Sequence, residues 1–210
     1  MPPARRTLTV VKVGGSLFER PDLAQRLQAL REQQAAGPVL LLPGGGKLVD
    51  VLRRWHRRHG WDEATAHWAA VQALDVNAWL LHRMLPGSRL LQQPEQFFPW
   101  HQQALAEAGA KRWAVCAPWG WLRRGDWGRP LPELPASWEV TSDSLAAWVA
   151  GKLEAWRLVL LKSAPPPPSL QAAVEQRYVD RWLPRVVACL EGMELCALCL
   201  AESPEKQAFW

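Results

Sequence analysis

Two stretches decide the fold: Val10-Val11-Lys12-Val13-Gly14-Gly15-Ser16 and Leu40-Leu41-Leu42-Pro43-Gly44-Gly45-Gly46-Lys47. Each is a short, continuously apolar run that ends in glycines. Such a run fits a strand buried on both faces, as in a parallel sheet. Glycine after the strand leaves backbone N–H groups open to close approach by an anion. Lys12 adds a cation beside the first loop, and a helix opening near Lys47 would aim its positive end at the second. Each loop alone has a plain reading: a tight turn with a snorkelling lysine, or a flexible turn. Two such loops after consecutive strands of one parallel sheet open on the same carboxyl edge, and that pairing favours a phosphate site. Neither has the P-loop spacing G-x-x-x-x-G-K-[ST], and the dinucleotide fingerprint G-x-G-x-x-G is absent.

Outward from these loops, apolar runs alternate with helical patterns, which argues for an α/β domain with a mostly parallel sheet. Strands are expected at 8–13, 38–42, 89–91, 112–117, 157–161 and 194–200. Helices are expected at 21–36, 47–58, 62–84, 98–108, 141–155, 170–178 and 180–190. Residues 118–137, rich in Trp, Gly and Pro, read as an irregular loop or hairpin. Pro165 to Pro168 form a stiff surface loop, and the tail after Glu202 reads as loose.

The chain has 210 residues, 49% of them hydrophobic and 21% charged, which suits a single folded domain rather than a disordered chain. No apolar run reaches the ~20 residues of a membrane-spanning helix. The start shows no signal-peptide pattern, because its apolar stretch runs straight into Gly14-Gly15-Ser16. Four cysteines without a framework spacing point to a reducing compartment, and the cytoplasm is expected. The net charge of +5 suits nucleic acid and a phosphate-bearing small ligand equally. The 14 tryptophans lack the regular basic interleaving of a single-strand binder, so they read as core, interface or pocket wall.

Two further constellations stand near predicted element ends. Thr141-Ser142-Asp143-Ser144 opens a predicted helix, where capping alone would explain it. Lys162, one of six lysines, ends a predicted strand, where deterring edge-to-edge pairing would explain it.

Together these four segments resemble the amino acid kinase family, over roughly residues 7–200. Within it, Asp62 to Ala70 with Leu74-Asp75, and Tyr178 to Arg185, are most similar to the 5-(aminomethyl)-3-furanmethanol phosphate kinases of methanofuran biosynthesis and their bacterial relatives. The resemblance implies one domain over 1–210 with a three-layer αβα sandwich, carbamate-kinase-like, around a mostly parallel central sheet. It also implies an ATP-dependent kinase that passes the γ-phosphoryl group to a phosphate or carboxylate acceptor, a furan-methanol phosphate of C1-coenzyme synthesis first. ATP and Mg2+ are the implied cofactors, with the metal held mainly by the nucleotide phosphates rather than by the protein. A homo-oligomer acting on a small molecule, with neither nucleic acid nor membrane as partner, is expected.

Residue by residue, the resemblance gives Lys12 the phosphoryl group in flight and gives Asp143 the task of placing the catalytic cations. Gly14, Gly15, Ser16 and Lys162 would bind nucleotide phosphates. Gly44, Gly45, Gly46, Thr141 and Ser142 would face the acceptor. Lys162 or Arg185 would be the second catalytic cation. The chain departs from the family after Lys162, where Ser163-Ala164 and four prolines replace a Thr-Asp-Val-Asp-Gly pattern. That departure keeps a second function open: a ligand-binding or partner-binding member of the same fold without turnover.

Asp75 has two readings, a partner for a substrate ammonium and an ion pair with an arginine. Cys196 and Cys199 would point to opposite faces of a strand, so buried apolar cysteines are favoured over zinc. His56 and His59, among Arg53, Arg54, Arg57 and Arg58, read as a solvated basic helix face.

Overall fold

The computed structural model describes residues 8–33, 37–107, 112–124, 126–200 and 207–210. The first apolar run is β1 (Thr9–Val13) and the second is β2 (Val39–Pro43), every residue of both being buried. They pair in parallel with Val10 opposite Leu40. On its other side β1 pairs in parallel with β5 (Arg157–Lys162), Val10 facing Leu158. Outside β2 lie β4 (Trp113–Cys116) and then β3 (Arg89–Leu91). Outside β5 lies β6 (Glu194–Cys199), and β7 (Gln207–Phe209) closes that edge antiparallel to it. The sheet order is thus β3-β4-β2-β1-β5-β6-β7.

Alternation along the strands splits the core in two. Val10, Leu40, Leu42, Leu158 and Leu160 enter one core, whereas Val11, Val13, Leu41, Val159 and Leu161 enter the other. The second core is covered by α1 (Leu23–Gln33) through Leu23 and Leu27. The first takes Val49 from α2 (Gly46–His59) and most of α6 (Ser142–Lys152). Every residue of α6 from Asp143 to Lys152 is buried. Its small residues Ala146, Ala147, Ala150 and Gly151 let the helix lie close against its neighbours. The long α3 (Glu63–Met84) serves both cores, with Ala70, Val71 and Leu74 in one and Ala78 and Leu81 in the other. Asp62 starts it by accepting from Thr65 N at 2.8 Å.

The architecture is therefore the expected layered sandwich around a mostly parallel sheet. Several local expectations change. Residues 118–137 are not wholly irregular, because Pro118–Arg123 form a short helix, α5. Pro118 stands in its first turn, where a missing N–H costs nothing, and Asp75 accepts from Trp119 N at 3.0 Å. The next two helices are shorter than their apolar patterns suggest: α7 is Leu170–Glu175 and α8 is Leu183–Val187. Arg177, at φ +55, breaks the first pattern. The second cannot begin at Asp180, whose side chain accepts from Trp182 N and Leu183 N instead. α4 is Phe97–Ala106. The tail reading covers residues 203–206, which lie outside the described residues, and 207–209, which form β7 by pairing with β6. Among the described residues no helix is long and apolar enough to cross a membrane.

Candidate active site

Lys12 and Lys162 continue the rows of Val10 and of Leu158 and Leu160, so the pleat aims both lysines at the face covered by α6. The first turn of α6 carries Asp143, placed there because Thr141 caps the helix and accepts from Asp143 N at 3.3 Å. The three side chains meet. Asp143 Oδ1 lies 2.9 Å from Lys12 Nζ, and Oδ2 accepts from Lys162 Nζ at 2.7 Å. Lys162 Nζ also donates to Tyr178 O at 2.8 Å, and the Tyr178 ring lies 5.1 Å from the ammonium.

Lys12 and Asp143 are 5% and 4% exposed, so their charges interact with little screening. Burial alone pushes the Asp143 carboxyl upward. The ammoniums of Lys12 and then Lys162 outweigh it and leave the group below the ordinary carboxylate range. Burial, helped by the neighbouring Lys12 charge, brings Lys162 down to about 8 in spite of Asp143. The cluster thus holds two cations on one carboxylate, a net positive charge with little solvent.

The glycine loops lie at the same edge. Gly14 N donates to Leu161 O at 2.8 Å and Gly44 N to Val13 O at 2.7 Å, which extends the strand ladder into both loops. The loops then touch each other through backbone. A Cβ on Gly15 would overlap Gly46 N, and Gly46 itself has φ +54. A Cβ on Gly45 would run into the side chain of Val49 in α2. Loop packing therefore requires glycine at these positions, with or without a ligand. Ser16 Oγ and Ser163 Oγ, from the ends of β1 and β5, lie 2.8 Å apart.

A cavity of about 410 Å³ opens beside these groups. Gly15, Ser16, Gly45 and Gly46 line one side, and Thr141 and Ser142 another. Val71, Leu74 and Leu145 give it an apolar wall; Lys47, Arg53 and Trp138 stand at its rim, the Arg53 guanidinium 5.1 Å from the Trp138 ring centre. His67 also lines it, its Nδ1 2.9 Å from Ser137 O, and burial lowers its pKa. Lys12 and Asp143 do not line the wall, but their close chain neighbours do.

The expected site residues thus fall into three groups. Lys12, Asp143 and Lys162 converge at one point. Gly15, Ser16, Gly45, Gly46, Thr141 and Ser142 face one cavity, with Gly14 and Gly44 held behind them by the strand ladder. Asp75 and Arg185 lie elsewhere. Asp75 holds the start of α5, where burial raises its pKa, and no ion pair with arginine is seen among the described residues. Arg185 lies over the Trp182 ring at 4.7 Å and lines a separate cavity with Trp148 and Cys189. Lys162, not Arg185, is therefore the second cation on Asp143. Cys196 and Cys199 are buried, and no cluster of three metal-binding side chains occurs among the described residues.

Two residues around the site, both within stretches that carry the family resemblance or adjoin them, had no role assigned from the sequence. Asn77 Nδ2 donates to Gly44 O at 2.7 Å and Gly45 O at 3.0 Å, fixing the second loop from α3. A buried amide between Leu74 and Leu81 was the available signal, since such a group needs partners. Asp180 ties the start of α6 to the start of α8; its signal was an acidic residue shortly before a helix with proline in its first turn.

Comparison with known proteins agrees with the fold. The amino acid kinase family matches residues 7–165, which is most of the chain. The chain belongs to the amino acid kinase family. Its fold is shared with aspartate kinase from Synechocystis (TM-score 0.63, 15% identity, 97% of this chain and 40% of that one). UMP kinase from Bacillus anthracis gives a TM-score of 0.60 at 13% identity over 93% and 88% of the two chains. Uridylate kinase from Archaeoglobus fulgidus gives 0.58 at 16% identity over 89% and 88%. A stretch of 105 residues is 32% identical to the DNA utilization protein HofM of Escherichia coli K12, covering 47% of this chain. The chain spans about a third of the length of that curated relative, 34%. The family is thus the amino acid kinase family, and the fold is the one seen in these UMP and aspartate kinases.

Proposed function

We propose that this chain is an ATP-dependent kinase that transfers the γ-phosphoryl group to a phosphate or carboxylate acceptor held in the cavity beside the glycine loops. The observation that carries the reading is the Lys12–Asp143–Lys162 cluster at the carboxyl ends of β1 and β5. ATP, with Mg2+ on its phosphates, supplies the transferable group. The residues present fit its transferring end: the buried Lys12 ammonium, the half-buried Lys162 ammonium, loop N–H groups free of side chains, and the hydroxyl of Ser16. Both Asp143 oxygens are engaged by lysines, which supports a metal carried by the nucleotide phosphates rather than by that carboxylate.

Lys12 and Lys162 balance negative charge as it spreads over the transferring phosphoryl oxygens, and Asp143 keeps the two cations apart and aimed. Thr141, Ser142 and the loop N–H groups of Gly45 and Gly46 orient the acceptor oxygen. No protein nucleophile is needed, because phosphoryl transfer depends on positioning and charge. A small acceptor body fits the wall of Val71, Leu74 and Leu145, with its anionic end toward Arg53 or the loops. A furan-methanol phosphate of methanofuran-type synthesis is the first acceptor by this reading, in a cytoplasmic homo-oligomer. Trp55 and Trp79, about half exposed on α2 and α3 at 49% and 54%, support the association.

The direct contact of the two glycine loops favours the second reading, a binding member without turnover. Single-turnover transfer from γ-labelled ATP decides between them, with a furan-methanol phosphate, UMP, aspartate, carbamate and isopentenyl phosphate as acceptors. Transfer to one acceptor is expected. Stabilisation by a ligand without transfer to any would establish the binding member instead.

A further inference from the structure

Asp180 gathers six donors. Its Oδ2 accepts from Thr141 N (3.0 Å), Thr141 Oγ1 (2.7 Å) and Ser144 N (3.2 Å). Its Oδ1 accepts from Ser144 Oγ, Trp182 N (2.9 Å) and Leu183 N (3.0 Å). Ser144 N is one of the first-turn donors that a helix cannot satisfy from within. One carboxylate therefore closes the start of α6 and the start of α8 together. Asp143 lies between the two residues that Asp180 grips, Thr141, which caps α6, and Ser144 in its first turn. Two residues before Asp180, Tyr178 O accepts a hydrogen bond from Lys162 Nζ at 2.8 Å. The Tyr178–Asp180 segment thus holds one member of the cluster directly and another through the helix turn that bears it.

We propose that Asp180 is a positioning residue of the transfer centre, and that Tyr178–Asp180 is the brace that keeps Asp143 and Lys162 in contact. The inference rests on reading the Lys12–Asp143–Lys162 cluster as that centre. A purely structural staple would also cap two helices, but its loss would lower stability without disturbing the cluster in protein that remains folded.

Asp180→Asn separates the two. It keeps the side chain's size and replaces an oxygen that serves three donors with an amide NH2. Lysine labelled with 13C at Cε reports Lys162 directly, its signal assigned by its loss in Lys162→Met. In Asp180→Asn the titration midpoint of Lys162 should move by about one pH unit or more, because the groups facing it, Asp143, Lys12 and Tyr178, lose their fixed distances. With the best acceptor of the panel, kcat should fall ~100-fold while KM for ATP stays within about threefold, the pattern of misplacement rather than lost binding. An unmoved midpoint in folded Asp180→Asn overturns the brace. Ser144→Ala, which removes one donor, should give a smaller displacement; if Asp180→Asn does not fold, an unmoved Lys162 midpoint in Ser144→Ala overturns it. If the wild type transfers phosphoryl to no acceptor, the kinase reading fails, and the lysine titration still decides whether Asp180 sets the cluster.

Discussion

Lys12 is a buried cation that pairs with a carboxylate oxygen of Asp143, 2.9 Å away. Removing its charge leaves Asp143 and Lys162 as a simple pair and takes away a preorganised donor. Lys12→Ala should lower kcat by ~100-fold or more. Stopped-flow transfer beside a thermal melt checks this: wild-type turnover in folded variant protein would place the chemistry elsewhere. Lys162 adds a pH signature. Burial brings its pKa to about 8, so its positive charge is lost as pH rises through that value. Activity that needs the charge should fall above about pH 8. Stability should move the other way. Between the folded value near 8 and the ordinary lysine value of 10.5, the unfolded chain binds more protons than the folded one, so this group's contribution to stability rises with pH. Lys162→Met should abolish both trends, as rate and melting profiles from pH 7 to 10 would show.

Among elements, the junction of β2, its glycine loop and α2 is tighter than a phosphate cradle alone would need. A valine at Gly45 would meet Val49 Cβ at 2.7 Å, so it must displace the first turn of α2 as well as block the loop. Gly45→Val should therefore lose phosphate binding by calorimetry and also lower the melting temperature, whereas a loop that only cradles an anion would lose binding alone. α5 offers the opposite case. Asp75 sits on α3 and holds Trp119 N. Asp75→Ala should cost about 1 kcal/mol, the scale of a lost helix cap. The KM for the best acceptor should change less than about twofold, and a larger rise would return Asp75 to the acceptor site.

At the scale of the whole molecule, the antiparallel edge strand joins the far end of the chain to the region past β5. Trp210 N donates to Leu195 O at 3.0 Å, and Trp210 Nε1 donates to Pro167 O at 3.1 Å. Its ring meets Tyr178 edge-on at 6.0 Å, and Tyr178 OH donates to Ala164 O at 3.2 Å. The Ser163–Pro168 departure from the family pattern is thus pinned by residues distant in sequence. Trp210→Ala removes one hydrogen bond and one aromatic contact, together about 1–2 kcal/mol. The melting temperature should fall by roughly 4 °C for a chain of this size. Calorimetry checks the value, and an unchanged melt would show that the proline loop holds without this tie.

What the sequence determined by itself was local in origin. Short apolar runs that end in glycine specified β1 and β2 and the edge on which their loops open, because a strand buried on both faces needs no partner to be read. Period-two alternation also put Lys12 on the face of Val10, and the Thr141 cap put Asp143 in the first turn of α6. Only the tertiary structure decided which cation meets Asp143. Lys162 and Arg185 are equally cationic in sequence, but β5 pairs directly with β1 whereas α8 turns its arginine onto Trp182. Asn77 and Asp180 became visible for the same reason: a hydrogen bond to a residue more than thirty positions away leaves no periodic trace. The segment at 118–123 reads as loop from its Trp, Gly and Pro content and becomes a helix because Asp75, on another element, supplies its cap. Propensity and pattern are summed over neighbours in the chain, whereas the charge balance of a buried site is summed over neighbours in space.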